Sequence, residues 1–139
     1  MAQARVVPFM KLLCDQGYTV SLETNGFFDT AEVDPRVIKV IDIKTPDSGE
    51  GESFNYKNLE ALRPHDQIKF VIVTEQDYEW AKNLTLSKKL YEKCTVFFSP
   101  SFETISPKLL AEKILKDSLP ARLQLQLHKY IWSPQLRGV

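Results

Sequence analysis

The chain has 139 residues, 43% of them hydrophobic, enough for one compact core and too short for two. Its 18 basic residues balance 18 acidic ones, so composition implies no polyanion-binding surface and gives no electrostatic reason to infer nucleic acid as a partner. Apolar runs are too short to span a bilayer, the N-terminus lacks a signal pattern, and Cys14 and Cys94 lie far apart without metal-ligand spacing. Together these features predict a cytoplasmic protein with two reduced, buried thiols.

Residues 4–16 read as an amphipathic helix, with Val6, Met10 and Leu13 at i, i+4 and i+7, Phe9 beside them, and Gly17 as its C′ residue. Strands are expected at Thr19–Glu23, Val37–Ile43, Ile68–Val73, Thr95–Phe98 and Leu123–Lys129. The middle runs, "VIKVIDI" and "IKFVIV", are nearly continuously apolar, as where helices cover both faces of a sheet or a barrel closes. Thr74-Glu-Gln-Asp77 resembles a capping box opening a helix to about Lys93, with Trp80, Leu84 and Tyr91 on its core side. Ser106-Pro107 is an N-cap with proline at N1, opening a helix through Leu109, Leu110, Ile114 and Leu115. The alternation reads as βα throughout, which predicts one α/β domain over residues 1–139 with a mostly parallel sheet. The connection 45–66 is the exception: it is long, polar and Gly-containing, with a short helix expected over Tyr56–Leu62 and a stop at Pro64.

In parallel α/β folds ligands bind at the carboxyl ends of the strands. Polar residues recur there in this chain: Glu23-Thr24-Asn25-Gly26, Asp42-Ile43-Lys44, Thr74-Glu75, Ser99-Pro100-Ser101 and His128-Lys129. Each has a plainer alternative. Glu23 is either a turn cap or a ligand contact, and Asn25-Gly26 is also a common turn dipeptide. Asp42 and Lys44, at i and i+2, form either an ion pair or part of a site. Ser99 and Ser101 are equally at home in an ordinary loop, and the polar side of "RLQLQLH" either faces solvent or lines a pocket. No P-loop, GxGxxG, GxSxG or HExxH motif occurs, and the two histidines, His65 and His128, leave triad and metal-hydrolase chemistry unsupported.

"SLETNG", "VIDIKTPDSGE", "LRPHDQIKFVI" and the terminal "LQLQLHKYIW…RGV", in this order, resemble the 7-carboxy-7-deazaguanine synthase family of radical S-adenosylmethionine enzymes. The resemblance implies a partial (β/α) barrel with S-adenosylmethionine, a [4Fe–4S] cluster and Mg²⁺. It also implies ring contraction of 6-carboxy-5,6,7,8-tetrahydropterin to 7-carboxy-7-deazaguanine in queuosine (7-deazapurine) biosynthesis. By position, Asp42-Ile43-Lys44 falls where relatives carry Ser-Pro-Lys against S-adenosylmethionine, with Glu23 and Asn25 close to the same ligand. Ser99-Pro100-Ser101-Phe102 matches the loop framing its adenosine half, retaining only the proline of a Gln-Pro variant. His128, Lys129 and the terminal Val139 fall at the pterin. A homodimer is among the assemblies this allows.

The family's CxxxCxxC-type loop and Gly-Gly-Glu-Pro segment do not occur in these 139 residues, and two cysteines cannot replace a three-cysteine ligand set. The chain is therefore expected to be the C-terminal two-thirds of such an enzyme, inactive alone and prone to self-association through an exposed edge. The alternatives are a noncatalytic binding remnant of that fold and a phosphoacceptor receiver-like domain with Asp42 as acceptor.

Overall fold

The computed structural model describes residues 5–49 and 54–137. Helix α1 (Val6–Asp15) turns Met10 and Cys14 inward and ends as the sequence predicts: Gly17 takes φ +86°. Gly17 N–H donates to Cys14 O and Tyr18 N–H to Leu13 O, closing the last turn in a Schellman arrangement. Phe9, expected beside the buried stripe, is exposed, because Cys14 at i+4 from Met10 takes the inward direction instead.

Among the described residues five strands form one wholly parallel sheet in sequence order: β1 (Ser21–Thr24), β2 (Ile38–Ile43), β3 (Gln67–Ile72), β4 (Thr95–Pro100) and β5 (Arg122–Leu123). The α/β class and the parallel sheet agree with the sequence reading; the βα alternation does not run throughout. The β1–β2 crossover is built of turns and bends, and the described part of the β2–β3 crossover carries only two 3₁₀ turns, Pro46–Ser48 and Tyr56–Leu59. Helices α2 (Glu75–Ser87), α3 (Leu90–Lys93) and α4 (Pro107–Lys116) follow β3 and β4.

Side-chain alternation divides the sheet into two unlike faces. Ile41, Ile43, Ile68, Phe70, Ile72, Val96 and Phe98 point one way and are almost completely buried with Tyr78, Ala81, Leu90 and Leu110. Each of the Ile, Leu, Val and Phe side chains contributes roughly 1.5–3 kcal/mol of burial. The opposite parity, Val40, Asp42, Gln67, Lys69 and Phe97, stays half-buried. The apolar runs thus reflect one helix-covered face and one open face rather than two covered ones. A smaller cluster, Met10, Cys14, Val20, Val33 and Val37, seats α1.

Lys39 breaks the apolar parity of β2. It is fully buried on the covered face, where its ammonium pairs with Asp66 at 3.3 Å and donates to Ala61 O. Asp66 also accepts from the Lys39 and Arg63 amides, so the long crossover is pinned to the sheet from beneath.

Three further expectations need correction. The helix from Thr74 does not run unbroken to Lys93: Lys89 adopts φ 48°, and the turn it makes drops the fully buried Leu90 into the core as α3 begins. Its N-cap holds, with Thr74 accepting from the Asp77 amide. Tyr91 is not core but exposed, because the break rotates it outward. Tyr78 fills the core instead, edge-on to Phe98, its hydroxyl donating to Asp117 at 2.8 Å, while Trp80 packs edge-on to Phe70 from a half-buried position. Finally, the last strand does not extend to Lys129. Its ladder ends where Gln124 N–H donates to Phe98 O, because the next donor owed by β4 is Pro100 nitrogen, which has no hydrogen. The chain then leaves the sheet and forms the single-turn helix α5 (His128–Ile131).

Candidate functional site

The open face of the sheet carries the pocket. Its floor is laid by register. Glu23 of β1, Val40 of β2 and Gln67 of β3 form one row across the strands, and Asp42, Lys69 and Phe97 form the next. These residues, with Thr24, Asn25 and Gln124, enclose about 400 Å³. A second depression of about 520 Å³ continues from it, sharing Lys69 and Gln124 and running along Leu125, Gln126 and Leu127 to His128. The two form a trough of the size that small-molecule sites occupy.

The β1 end is held in shape locally and from a distance. Thr24 Oγ1 accepts from the Gly26 amide and Asn25 Oδ1 from the Phe27 amide, so the turn role of Asn25-Gly26 is real and coexists with Asn25 lining the pocket. Gly26 takes φ +72°, and a Cβ there would stand 2.4 Å from the Phe54 ring, so only glycine fits. Asn58, buried in the long crossover, completes the clamp. Its Oδ1 accepts from Thr30 N–H at 2.8 Å and Thr30 Oγ1–H at 3.0 Å, and its Nδ2 donates to the carbonyls of Gly26 and Phe28.

At the β2 end, Asp42 Oδ2 accepts from Lys44 Nζ at 2.8 Å, while Asp42 Oδ1 is buried and has no partner. The ion pair of the sequence reading therefore exists, and it leaves one carboxylate oxygen of a pocket-lining residue without a partner. Ile43 turns its side chain to the covered face and joins the core. The loop beyond is tied to α2: Thr74 Oγ1–H donates to Asp47 Oδ2 at 2.6 Å, and Asp77 Oδ1 accepts from the Asp47 amide. Thr74 and Glu75 do not line the trough; Thr74 is a cap, and Glu75 pairs with Lys113 of α4.

Ser99 is fully buried with an unpartnered hydroxyl, and Pro100 is buried beside Ile72. Ser101 N–H donates to Ile72 O, which swings Phe102 towards the C-terminal segment. There the Phe102 and Tyr130 rings meet edge to face at 5.3 Å, with Lys129 Nζ 5.8 Å from the centroid of the Phe102 ring. Ser99 and Pro100 thus end β4 rather than forming a loop, and only Phe102 of the Ser99–Phe102 stretch is joined to the C-terminal segment, through Lys129 and Tyr130. Val139 lies outside the described residues.

Reasoning from strand ends missed Val40, Gln67, Lys69, Phe97 and Gln124. Their signal was present in the alternation of "QIKFVI", where Gln67 and Lys69 take one parity and Ile68, Phe70 and Ile72 the other.

A parallel α/β sheet with one face sealed by helices and a polar trough on the other places the chain in the α/β class with a candidate small-molecule site. No family model matches the sequence. The chain is 43% identical over 152 residues to the 7-carboxy-7-deazaguanine synthase of Koribacter versatilis, covering 100% of this chain and 67% of the relative. It is 44% identical over 142 residues to that of Chlorobaculum tepidum, again over all of this chain and 64% of the relative. A third, from Methanospirillum hungatei, is 36% identical over 129 residues, 93% of this chain and 53% of the relative. The chain belongs to the 7-carboxy-7-deazaguanine synthase family, and it spans about two-thirds of the length of the first two relatives. That membership displaces the receiver-like reading of Asp42. No helix among the described residues is long and apolar enough to cross a membrane.

Proposed function

We propose that this chain is the small-molecule cradle of a 7-carboxy-7-deazaguanine synthase, its sheet forming most of a partial (β/α) barrel of the radical S-adenosylmethionine type. On this reading the whole enzyme is a carbon–nitrogen lyase of 7-deazapurine (queuosine) biosynthesis. It contracts 6-carboxy-5,6,7,8-tetrahydropterin to 7-carboxy-7-deazaguanine and works in the cytoplasm. The observation that carries the reading is convergence: Glu23, Asn25, Asp42 and His128, singled out on separate segments, all line one trough.

S-adenosylmethionine fits this trough. The buried Asp42 Oδ1 is a free acceptor for a ribose hydroxyl or an amine. Glu23 and Asn25 form one rim, and Lys44 orients the Asp42 carboxylate by holding its other oxygen. When bound, the cofactor supplies the hydrogen-abstracting chemistry of the reaction. His128 and Lys129 stand at the other end, His128 lining the second depression, where the pterin would lie.

The iron–sulfur cluster does not fit residues of this chain. Cys14 and Cys94 are buried in separate core clusters, and no third cysteine exists. Among the described residues no group of three or more His, Cys, Asp or Glu converges. The chain alone is thus proposed to bind its small molecules without turnover.

Isothermal titration of the chain with S-adenosylhomocysteine and 6-carboxypterin tests this. Saturable binding of at least one is expected, weakened about tenfold by Asp42→Ala, which removes a charge-assisted hydrogen bond. Wild-type protein that binds neither ligand overturns the reading.

A further inference from the structure

A lysine stands where the two depressions of the trough meet. Lys69 is half-buried on β3, lines both depressions, and its ammonium forms no hydrogen bond or ion pair among the described residues. Its neighbours in register are Asp42 and Phe97. Asp42 is already matched by Lys44, so the carboxylate beside Lys69 does not neutralise it. Other lysines drawn out of full solvent contact have partners: Lys93 donates to the Leu59 carbonyl, Lys129 lies over the Phe102 ring, and several meet carboxylates. Lys39 meets Asp66, Lys82 meets Glu79 and Asp117, and Lys113 meets Glu75. A partly desolvated ammonium is costly without a counter-charge or a hydrogen-bond acceptor.

Two further atoms lie within reach of the same ligand. Asp42 Oδ1 in one depression and Gln126 Oε1 in the other are buried without partners. The trough therefore offers one unmatched cation between two unmatched acceptors. A molecule complementary to that pattern carries an anionic group flanked by N–H or O–H donors. Glu23, which also forms no ion pair, extends the pattern by accepting from a donor at the far rim.

We propose that Lys69 is the anion anchor of this site, its ammonium holding the carboxylate of the bound small molecule while Asp42 Oδ1 and Gln126 Oε1 accept from donors on the same molecule. The proposal rests on the functional reading above, which places two carboxylates here: that of the pterin and that of the amino-acid end of S-adenosylmethionine. Their shared chemistry is what Lys69 recognises, and the test tells them apart.

The full chain is titrated with two ligand pairs. 6-Carboxypterin and pterin differ by the carboxylate; S-adenosylhomocysteine and 5′-methylthioadenosine differ by the amino-acid end. Lys69→Met is expected to weaken at least one carboxylated ligand about tenfold or more and to leave its counterpart within about twofold. The pair that responds names the source. Lys69→Arg restores most of the lost affinity, because it returns the charge. If wild type binds the carboxylated ligands and Lys69→Met binds them equally well, the anchor is overturned while the functional reading stands. Equal weakening of carboxylated and uncarboxylated ligands overturns the anchor too. Wild type that binds none of the four overturns both.

Discussion

The covered and open faces of this sheet come from the same strands, one residue apart. On β3, Ile68, Phe70 and Ile72 are wholly buried beneath the helices, while Gln67, Lys69 and Val71 between them remain half-buried. The first set locks the fold by close packing, where each methylene counts. The second set is held in place by that packing without contributing much to it. A protein arranged this way can change the chemistry of its trough with little loss of stability, since the backbone carrying the trough is fixed from the other side.

The largest expected effect tests that division directly. Phe70 meets both Trp80 and Phe98 edge-on in the core, so Phe70→Ala should lose about 3–5 kcal/mol of stability through lost burial and the cavity left behind. Gln67→Ala, three positions earlier on the open face, should stay within about 0.5 kcal/mol of wild type. Urea denaturation of both variants measures the contrast. Comparable losses would mean that the open face is packed as tightly as the covered one, and the division would not hold.

Much of this plan is legible in the residues themselves. β-branched runs mark the strands, and Thr74, Ser106 and Gly17 sit where the helix caps they predict are found. What cannot be read locally is which parity of a strand the helices will cover, since that is decided by packing between distant segments. Lys39 shows why. Alone in "VIKVIDI" it resembles an outward-facing residue; its partner Asp66 lies 27 positions on, and only the folded crossover brings the two together. Gln67 and Lys69 are the converse case, polar residues mid-strand whose face acquires meaning once the helices are known to lie on the other side. The break at Lys89 has no glycine to announce it; the burial of Leu90 imposes it.

The second prediction concerns the bridge between the faces. The loop after β1 rims the trough, yet it is fastened by Asn58 of the long crossover through four hydrogen bonds. Asn58→Ala leaves the buried Thr30 amide without a partner, which costs about 2 kcal/mol. Hydrogen exchange should then quicken at the Thr30 amide and spare β3 amides, and binding in the trough should weaken with it. Unchanged exchange at Thr30 would show that the loop holds its shape without the clamp.

The smallest effect is a titration, and it probes how dry the covered side is. Cys94 belongs to the covered cluster, and burial first of all, with the nearby Asp66 charge second, pushes its thiol up to about 11 from an ordinary 9.0. A raised thiol means that the folded state holds its proton more tightly than the unfolded one. The corresponding stability is therefore fully present below pH 9.0 and is lost as pH climbs towards about 11. Tyrosines and lysines titrate in the same range, so the informative quantity is the difference between wild type and Cys94→Ala, which lacks the group. That difference should be flat from pH 6 to 8 and shrink as pH rises further, read from urea midpoints at each pH. A difference that stays constant to pH 11 would mean that the thiol titrates alike in both states, and that water reaches the base of the core at Cys94.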